Sequence, residues 1–315
     1  MGNAAMKLLR TPAAAARHRN GNGCVAALAG YDGLHLGHQA ILRELAAEAQ
    51  RRDCPAVAFA FEPPPAEASA SPPPRLTRLR EKFKGLEAYP VDEFFCPRFT
   101  TAMRGMAPAE LLRRLLVDTL AARHVVIGED FDFAGSGAGT IQDLRAAGKH
   151  YGFGVTAVPV ACLNGAVVNS AAIRNALAAG DLATARAMLG RDYMMSGRIV
   201  RGAQLGRKLG FPTANVPVQR HKSAVLGIFA VRVQLGDRHL EGVANVGTRP
   251  TVDNTGKTLL EVFIFDFDED IYGEYIDVYF VERIRDELKF PDLDSMIEQM
   301  HDDVTRARAL LAASR

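Results

Sequence analysis

The sequence has no window approaching the roughly 18 uninterrupted apolar residues that a membrane helix requires, so nothing in it points to a membrane span. Cysteine is scarce: Cys24, Cys54, Cys96 and Cys162 are widely spaced and form no CxxC pair. Neither a zinc site nor a disulfide framework is expected, and a reducing cytoplasm suits such a chain. An excess of one charge is also missing. The formal net charge is +2 over 315 residues, which announces neither a nucleic-acid surface nor a polybasic membrane patch, so neither partner is expected. The amino terminus, MGNAAMKLLRTPAAAARHRNGNG, is interrupted by Pro12 and by charges and lacks the apolar core of a signal peptide. Residues 1–22 read as an extension with no assigned role. What the chain does have is apolar material, 48% hydrophobic against 23% charged residues, enough to build packed cores rather than remain disordered. At this length two domains are expected.

From Cys24 to about Val160, short apolar runs alternate with segments of helical period. CVAALA (24–29), AVAFAF (56–61), HVVIG (124–128) and GVTAVPV (154–160) read as strands buried on both faces. QAILRELAAEAQRR (39–52) and PAELLRRLLVDTLAA (108–122) read as helices. Such alternation argues for a parallel sheet covered by helices. PPPAEASASPPP (63–74) reads as a long loop, and helices at 169–179 and 181–189 close this half. Past Arg191 the period becomes two. Phe229, Val231, Val233 and Leu235 share one face, as do Ile276, Val278, Phe280 and Ile284. That pattern reads as an antiparallel sheet or small barrel. A final helix after an Asp292 cap puts Leu293, Met296, Ile297, Met300 and Val304 on one side. The domains are expected at 23–186 and 187–315.

Three segments carry chemistry. In AGYDGLHLGHQ (29–39) a strand runs through a glycine turn into a helix, which leaves backbone N–H groups at the sheet's carboxyl edge, a natural phosphate site. His35 and His38 share a face of the first helical turn and can donate to phosphate oxygens. The plain alternative is a histidine pair that caps the helix. GKT (256–258) is no phosphate loop, because Thr251 stands where that motif needs its first glycine, and GSGAG (135–139) misses the GxGxxG spacing. SGRIVRGAQLGRKLGFPTANV (196–216) brings Gly197, Gly202, Gly206 and Gly210 together with Arg207, a phosphate-matching guanidinium. Its Thr213 and Asn215 offer two oxygen ligands suited to Mg²⁺ carried by ATP; a glycine-rich hairpin is the alternative. In LLEVFIFDFD (259–268), Glu261 shares a strand face with Phe263, Phe265 and Phe267. A carboxylate there is costly unless used as a general base or paired, for example with Arg249.

Taken in order, these segments resemble the bacterial bifunctional riboflavin kinase/FAD synthetase family from about Gly23 to Arg308. His35-Leu36-Gly37-His38 matches the HxGH motif of its nucleotidyltransferase module, followed in family order by FEP (61–63), RLTRLREKF (75–83), Asp130-Phe131 and Ile173-Arg174. GDLATARAMLGRDY (180–193) resembles the linker helix. GRKLGFPTAN (206–215) is the most specific kinase motif, supported by GVANVGTRPTV (242–252), LEVFIFDF (260–267), IYG (271–273) and RDELKF (285–290). The resemblance implies an α/β Rossmann-like nucleotidyltransferase domain with a parallel sheet, then an antiparallel β-barrel riboflavin kinase domain with a C-terminal helix. It implies riboflavin, FMN and ATP as substrates and Mg²⁺ as cofactor, with FMN made first and FAD second.

Residue by residue, the resemblance implies adenylyl transfer at His35 and His38. It implies nucleotide contacts from Asp32, Gly33, Gly37, Asp130, Phe131, Ser170, Arg174, Gly206 and Arg207. Thr213 and Asn215 would meet Mg²⁺–ATP, Glu261 would take the proton of the ribityl 5′-hydroxyl, and Arg285 and Glu287 would lie near the flavin. The chain departs from the family pattern at Gly30 (an Asn), Pro64 (a His), Asp132 (a basic residue), and Asn169 and Ala171 (a Ser-Ser-Thr triplet). Lost phosphate contacts there raise the alternative of a riboflavin kinase with a degenerate first module. Phe263 and Ala224 replace a frequent His and a frequent Pro outside the Thr213/Asn215/Glu261 core. A flavin-storage protein is the reading from another class, although mere binding needs neither a base nor a metal clamp.

Overall fold

The computed structural model describes residues 5–17, 23–69, 71–131, 139–202, 206, 209–220, 222–249 and 257–314. They form two compact units, Met1–Pro73 with Thr77–Asn169, and Pro74–Leu76 with Ser170–Arg315.

The first unit is built on strands β1 (Lys7–Leu9), β2 (Cys24–Leu28), β3 (Ala56–Phe59), β4 (Glu93–Phe95), β5 (Ala122–Gly128) and β6 (Gly154–Val158). They pair in the order β1-β4-β3-β2-β5-β6, every pair parallel. Helices α1 (Pro12–Arg17), α2 (Leu36–Arg52), α3 (Leu79–Leu86), α4 (Thr101–Arg104), α5 (Pro108–Leu112) and α6 (Ile141–Tyr151) connect them. The two sides of β2 explain its unbroken apolar run. Cys24, Ala26 and Leu28 enter one core with Val57 and Phe59. Val25 and Ala27 enter the other with Leu42 and Leu45 of α2. A strand buried on both faces has no position for a polar residue.

Local differences from the sequence reading are small. The helix expected over 108–122 begins as α5 and continues over Arg113–Thr119 as a wider π-type turn. The loop at 63–74 contains one 3-10 turn, Pro65–Ala68. Within the extension that had no assigned role, β1 adds an edge strand beside β4 and buries Leu9. A two-residue hairpin, β7 (Cys162–Leu163) with β8 (Ala166–Val167), closes the unit.

One buried group makes this unit sensitive to acid. His124 on β5 lies across from Gly154, whose missing side chain leaves room for the ring, and its Nε2 is 2.8 Å from Thr156 Oγ1. Burial, aided by Arg52 and Arg51, lowers His124 to about 4. The unfolded chain binds the same proton near pH 6.5, so stability is complete above that pH and falls as pH drops toward 4, by up to about 3 kcal/mol. Urea denaturation at pH 7.5 and pH 4.5 should show a larger acid loss for wild type than for His124→Gln. Equal losses would clear His124 of the effect.

The second unit opens with α7 (Ser170–Ala178) and α8 (Leu182–Leu189). Six antiparallel strands follow: β9 (Tyr193–Arg198), β10 (Thr213–Pro217), β11 (Gly227–Leu235), β12 (Arg238–Arg249), β13 (Lys257–Ile264) and β14 (Tyr275–Arg285), before α9 (Leu293–Ala313). Their order is β10-β13-β12-β11-β14-β9. The sheet curls until its edges approach at a bridge between Val200 and Asn215. The alternation expected for β11 holds: Phe229, Val231, Val233 and Leu235 are buried, as are Val246, Leu260, Val262, Val278 and Phe280 on neighbouring strands. The other face of the sheet carries Ile228, Ala230 and Val243 and packs against Ala307 and Leu311 of α9.

Three expectations need correction. Ile284 does not join Ile276, Val278 and Phe280, because irregular register in β14 turns Val281 and Ile284 toward α9. The strand through Glu261 ends at Ile264, and Asp266 takes a left-handed backbone (φ 54°), so Phe265 and Phe267 are not its same-strand neighbours. On α9 the most buried residues are Asp303, Ala307 and Leu311, while Leu293 is exposed, so the helix docks by its carboxyl half. Asp292 does cap it, accepting from the Ser295 N–H at 2.8 Å. Arg285 on β14 pins the docking by donating to both oxygens of buried Asp303, at 2.9 and 2.6 Å.

Candidate active sites

In the first unit the strand order reverses between β2 and β5, so their carboxyl ends border a crevice where α/β sheets receive ligands. Leaving β2, the chain makes a tight turn with left-handed backbone at Tyr31 (φ 48°), Gly33 (φ 87°) and Leu34 (φ 49°). For residues other than glycine such conformations are costly and must be held by their surroundings. Thr77 holds them. Its hydroxyl accepts from the Gly33 N–H at 3.0 Å and donates to the Tyr31 carbonyl at 3.2 Å, and its own N–H donates to Asp32 Oδ1 at 2.8 Å. Tyr31 is fully buried, donates to the Ala27 carbonyl at 2.9 Å, and has its phenol pushed far above the ordinary value by burial. Asp32 and Gly33 thus brace the turn that presents the histidines.

His35 stands at the N-cap of α2, but its side chain makes no capping hydrogen bond. A pair of capping imidazoles is therefore not what this turn contains. His35 and His38 are both buried, and their rings stack with centroids 3.7 Å apart and planes 25° from parallel. Gly37 lies between them, and a Cβ there would stand 3.2 Å from the His35 ring. The dipole of α2 adds positive potential at the same end. From the neighbouring strand, Asp130 follows β5, with room left by Gly128, where a Cβ would be 2.7 Å from Asp130 Oδ1. Phe131 packs on the core beneath. At Gly30 a Cβ would meet nothing within 4 Å. Asp132 lies outside the described residues. Ser170 and Arg174 belong to α7 of the second unit, where Arg174 Nε donates to the Pro74 carbonyl at 2.6 Å.

In the second unit three strands set polar side chains in one row. Asn215 on β10 is the register partner of Glu261 on β13, which is the partner of Asn245 on β12. Such neighbours share a face, with Cβ atoms about 5 Å apart. Thr213, opposite Phe263, stands on the same face one step along. Asn215 is buried and donates through Nδ2 to the Thr213 carbonyl at 3.2 Å. Gly202 and Gly206 lie against these two residues, with the Phe211 N–H donating to the Gly206 carbonyl at 2.8 Å. A Cβ on Gly202 would lie 2.5 Å from Asn215 Oδ1, and one on Gly206 would lie 3.5 Å from Thr213 Oγ1. Only missing side chains keep this oxygen-lined cradle open, and a hydroxyl and an amide oxygen are hard donors that fit Mg²⁺. Beside it opens a cleft of about 210 Å³, floored by Val262 and Ile264 and walled by Asp268–Tyr272. Arg201 lies 5.1 Å above the Tyr272 ring.

Of the remaining expected residues, Arg285 is engaged with Asp303, and the Glu287 carboxylate occupies the space over Gly247 that a side chain would fill. Arg207 lies outside the described residues, as does the Arg249 side chain that offered the alternative partner for Glu261. Sequence reasoning missed two residues, Thr77 and Asn245. Thr77 carries no local signal, since its partners are about 45 positions away. Asn245 had one, a polar side chain between buried Ala244 and Val246.

The family described as FAD synthetase matches residues 17–172, and the family described as riboflavin kinase matches residues 189–311. The bifunctional riboflavin kinase/FMN adenylyltransferase of Escherichia coli (strain K12) is 40% identical over 296 residues, 93% of this chain and 94% of its own length. That of Pseudomonas fluorescens is 39% identical over 295 residues, with the same coverage. That of Haemophilus influenzae is 38% identical, covering 91% and 94%. A solved structure described as a macrolide-efflux protein from Streptococcus pneumoniae superposes with a TM-score of 0.78 at 27% identity, over 95% of this chain and 97% of that one. Among the described residues no helix is long and apolar enough to cross a membrane. Two domain matches in the order of the motifs, and full-length relatives at about two-fifths identity, show that this chain belongs to the bifunctional riboflavin kinase/FMN adenylyltransferase family.

Proposed function

We propose that the chain phosphorylates riboflavin to FMN and then adenylylates FMN to FAD, consuming ATP in each step, with residues 187–315 responsible for the first and residues 23–186 for the second. The row Asn215–Glu261–Asn245 carries the kinase half. An alcohol is a weak nucleophile, so Glu261 takes the proton of the ribityl 5′-hydroxyl as its oxygen bonds to the γ-phosphorus and ADP departs. Thr213 and Asn215 would hold Mg²⁺ with ATP, and the ion would neutralise charge on the phosphates. The cleft beside them receives the nucleotide, and Gly206 approaches its phosphates.

In the other half the nucleophile is the FMN phosphate, already ionised at neutral pH, so no base is needed. Its oxygen bonds to the α-phosphorus of ATP and pyrophosphate leaves. The stacked His35 and His38, with the first turn of α2, stabilise the charge that builds during this exchange. Gly37, Asp130 and Phe131 contribute nucleotide contacts, and Asp32 and Gly33 act through the turn. The alternative of a degenerate first module draws no support from a family match that spans it. Free cysteines throughout suit a reducing cytoplasm.

The test is a chromatographic product assay with riboflavin, ATP and Mg²⁺, repeated from FMN. FMN followed by FAD is expected. Accumulating FMN without FAD would sink the transferase half, and no FMN would sink the kinase half. Gly202→Ala sharpens the kinase assignment. Its Cβ must displace the Asn215 amide, so FMN formation should fall about 10- to 100-fold with a raised KM for ATP. Wild-type ATP dependence in that variant would remove Asn215 from the nucleotide site.

A further inference from the structure

Glu261 is flanked differently on its two sides. Toward β10 stand Asn215 and Thr213, the oxygen donors of the nucleotide side. Toward β12 stands Asn245, its register partner. The Oδ1 of Asn245 is buried and, among the described residues, receives no hydrogen bond. A buried acceptor without a donor is unfavourable, and sites that keep one usually present it to a ligand. Two residues along the same strand face, Gly247 has no side chain, and the Glu287 carboxylate fills that space. This side of Glu261 is therefore a run of acceptors: Asn245 Oδ1, the Glu261 carboxylate and the Glu287 carboxylate. Two carboxylates repel a phosphate, and a flavin ring brings one N–H, flanked by two carbonyls, to a row of three acceptor groups. A neutral polyol, with hydroxyl donors on consecutive carbons, matches the row.

We infer that Asn245 is a substrate-positioning residue of the kinase site, accepting a hydrogen bond from a secondary hydroxyl of the ribityl chain and so aligning the terminal hydroxyl with Glu261. The inference rests on the kinase reading above. Its geometry divides the site across β13, with the phosphate donor on the β10 side and the polyol acceptor on the β12 side. Specificity for a flavin bearing a polyol then follows from the β12 side rather than from the ring.

The experiment uses the full-length chain with Mg²⁺–ATP. Asn245→Ala should raise KM for riboflavin about tenfold, the loss of one hydrogen bond to a buried acceptor, and leave KM for ATP unchanged. Its affinity for lumiflavin, which has the ring without the polyol, should equal that of wild type by fluorescence quenching. Because the Asn245 Oδ1 receives no hydrogen bond among the described residues, the free variant should melt with wild type. An unchanged riboflavin KM, or an equal loss for lumiflavin, would overturn the assignment. Asn245→Asp is the second arm. It keeps the acceptor, so KM for riboflavin should stay within about threefold and KM for ATP should not change. A roughly tenfold rise in KM for riboflavin in the aspartate variant would overturn the proposal, even if the alanine variant failed to fold. Absence of FMN from the wild-type reaction would instead overturn the kinase reading.

Discussion

Replacing Glu261 by Gln should lower kcat for FMN formation by about 100- to 10,000-fold and leave KM for riboflavin within a few-fold. The amide has the size and reach of the carboxylate, so the register with Asn215 and Asn245 survives the change. What it lacks is the capacity to accept a proton while the alcohol attacks. A strand residue with partners on both sides cannot easily be replaced by a neighbour, which is why the loss should be large. Single-turnover measurement of FMN with saturating ATP separates the chemical step from binding. FAD formation from added FMN should be untouched. A proportional fall in kcat and riboflavin affinity would remove Glu261 as the base and leave it a binding residue.

His38→Asn should give the reverse pattern, with FAD formation from FMN reduced about 100-fold or more and FMN formation from riboflavin at the wild-type rate. An asparagine amide reaches about as far as the ring Nδ1, so the donor at the far edge of the imidazole is lost while the helix turn is kept. His38 also stacks on His35 and lies 5.4 Å from the Tyr31 ring, so the variant should be compared by melting temperature as well. FAD made at the wild-type rate would remove the histidine pair from adenylyl transfer and leave it a packing feature.

Most of the fold was legible in the sequence because each unit obeys one period. The unbroken run Cys24–Leu28 meets a core on each side, and the alternation of Phe229, Val231, Val233 and Leu235 meets one core while Ala230 between them turns to α9. Where the reading failed, a local irregularity changed the parity. The register shifts in β14 moved Ile284 to the α9 face, and the left-handed Asp266 cut short the strand through Glu261. Helix α9 was misjudged for another reason. Its apolar pattern extends to Leu293, but docking is fixed by Asp303 meeting Arg285. The site was legible where its residues are close in sequence, as in His35-Leu36-Gly37-His38 and Thr213-Ala214-Asn215. Asn245 and Glu261 are 16 positions apart and meet only through strand pairing. Thr77 joins Asp32 and Gly33 across a still longer gap.

Strand β1 has a consequence for how the chain keeps its own company. Lys7 donates to the Asp92 carbonyl at 3.0 Å, and the Cys96 N–H donates to the Leu9 carbonyl at 2.7 Å, so three residues near the start of the chain close the open side of β4. A chain cut to begin at Gly23 would keep every residue of both candidate sites. It would also expose a row of unsatisfied backbone groups beside Phe94 and Phe95, a template on which other molecules can add strands. The stretch that reads as an extension with no assigned role is in this respect a guard against aggregation.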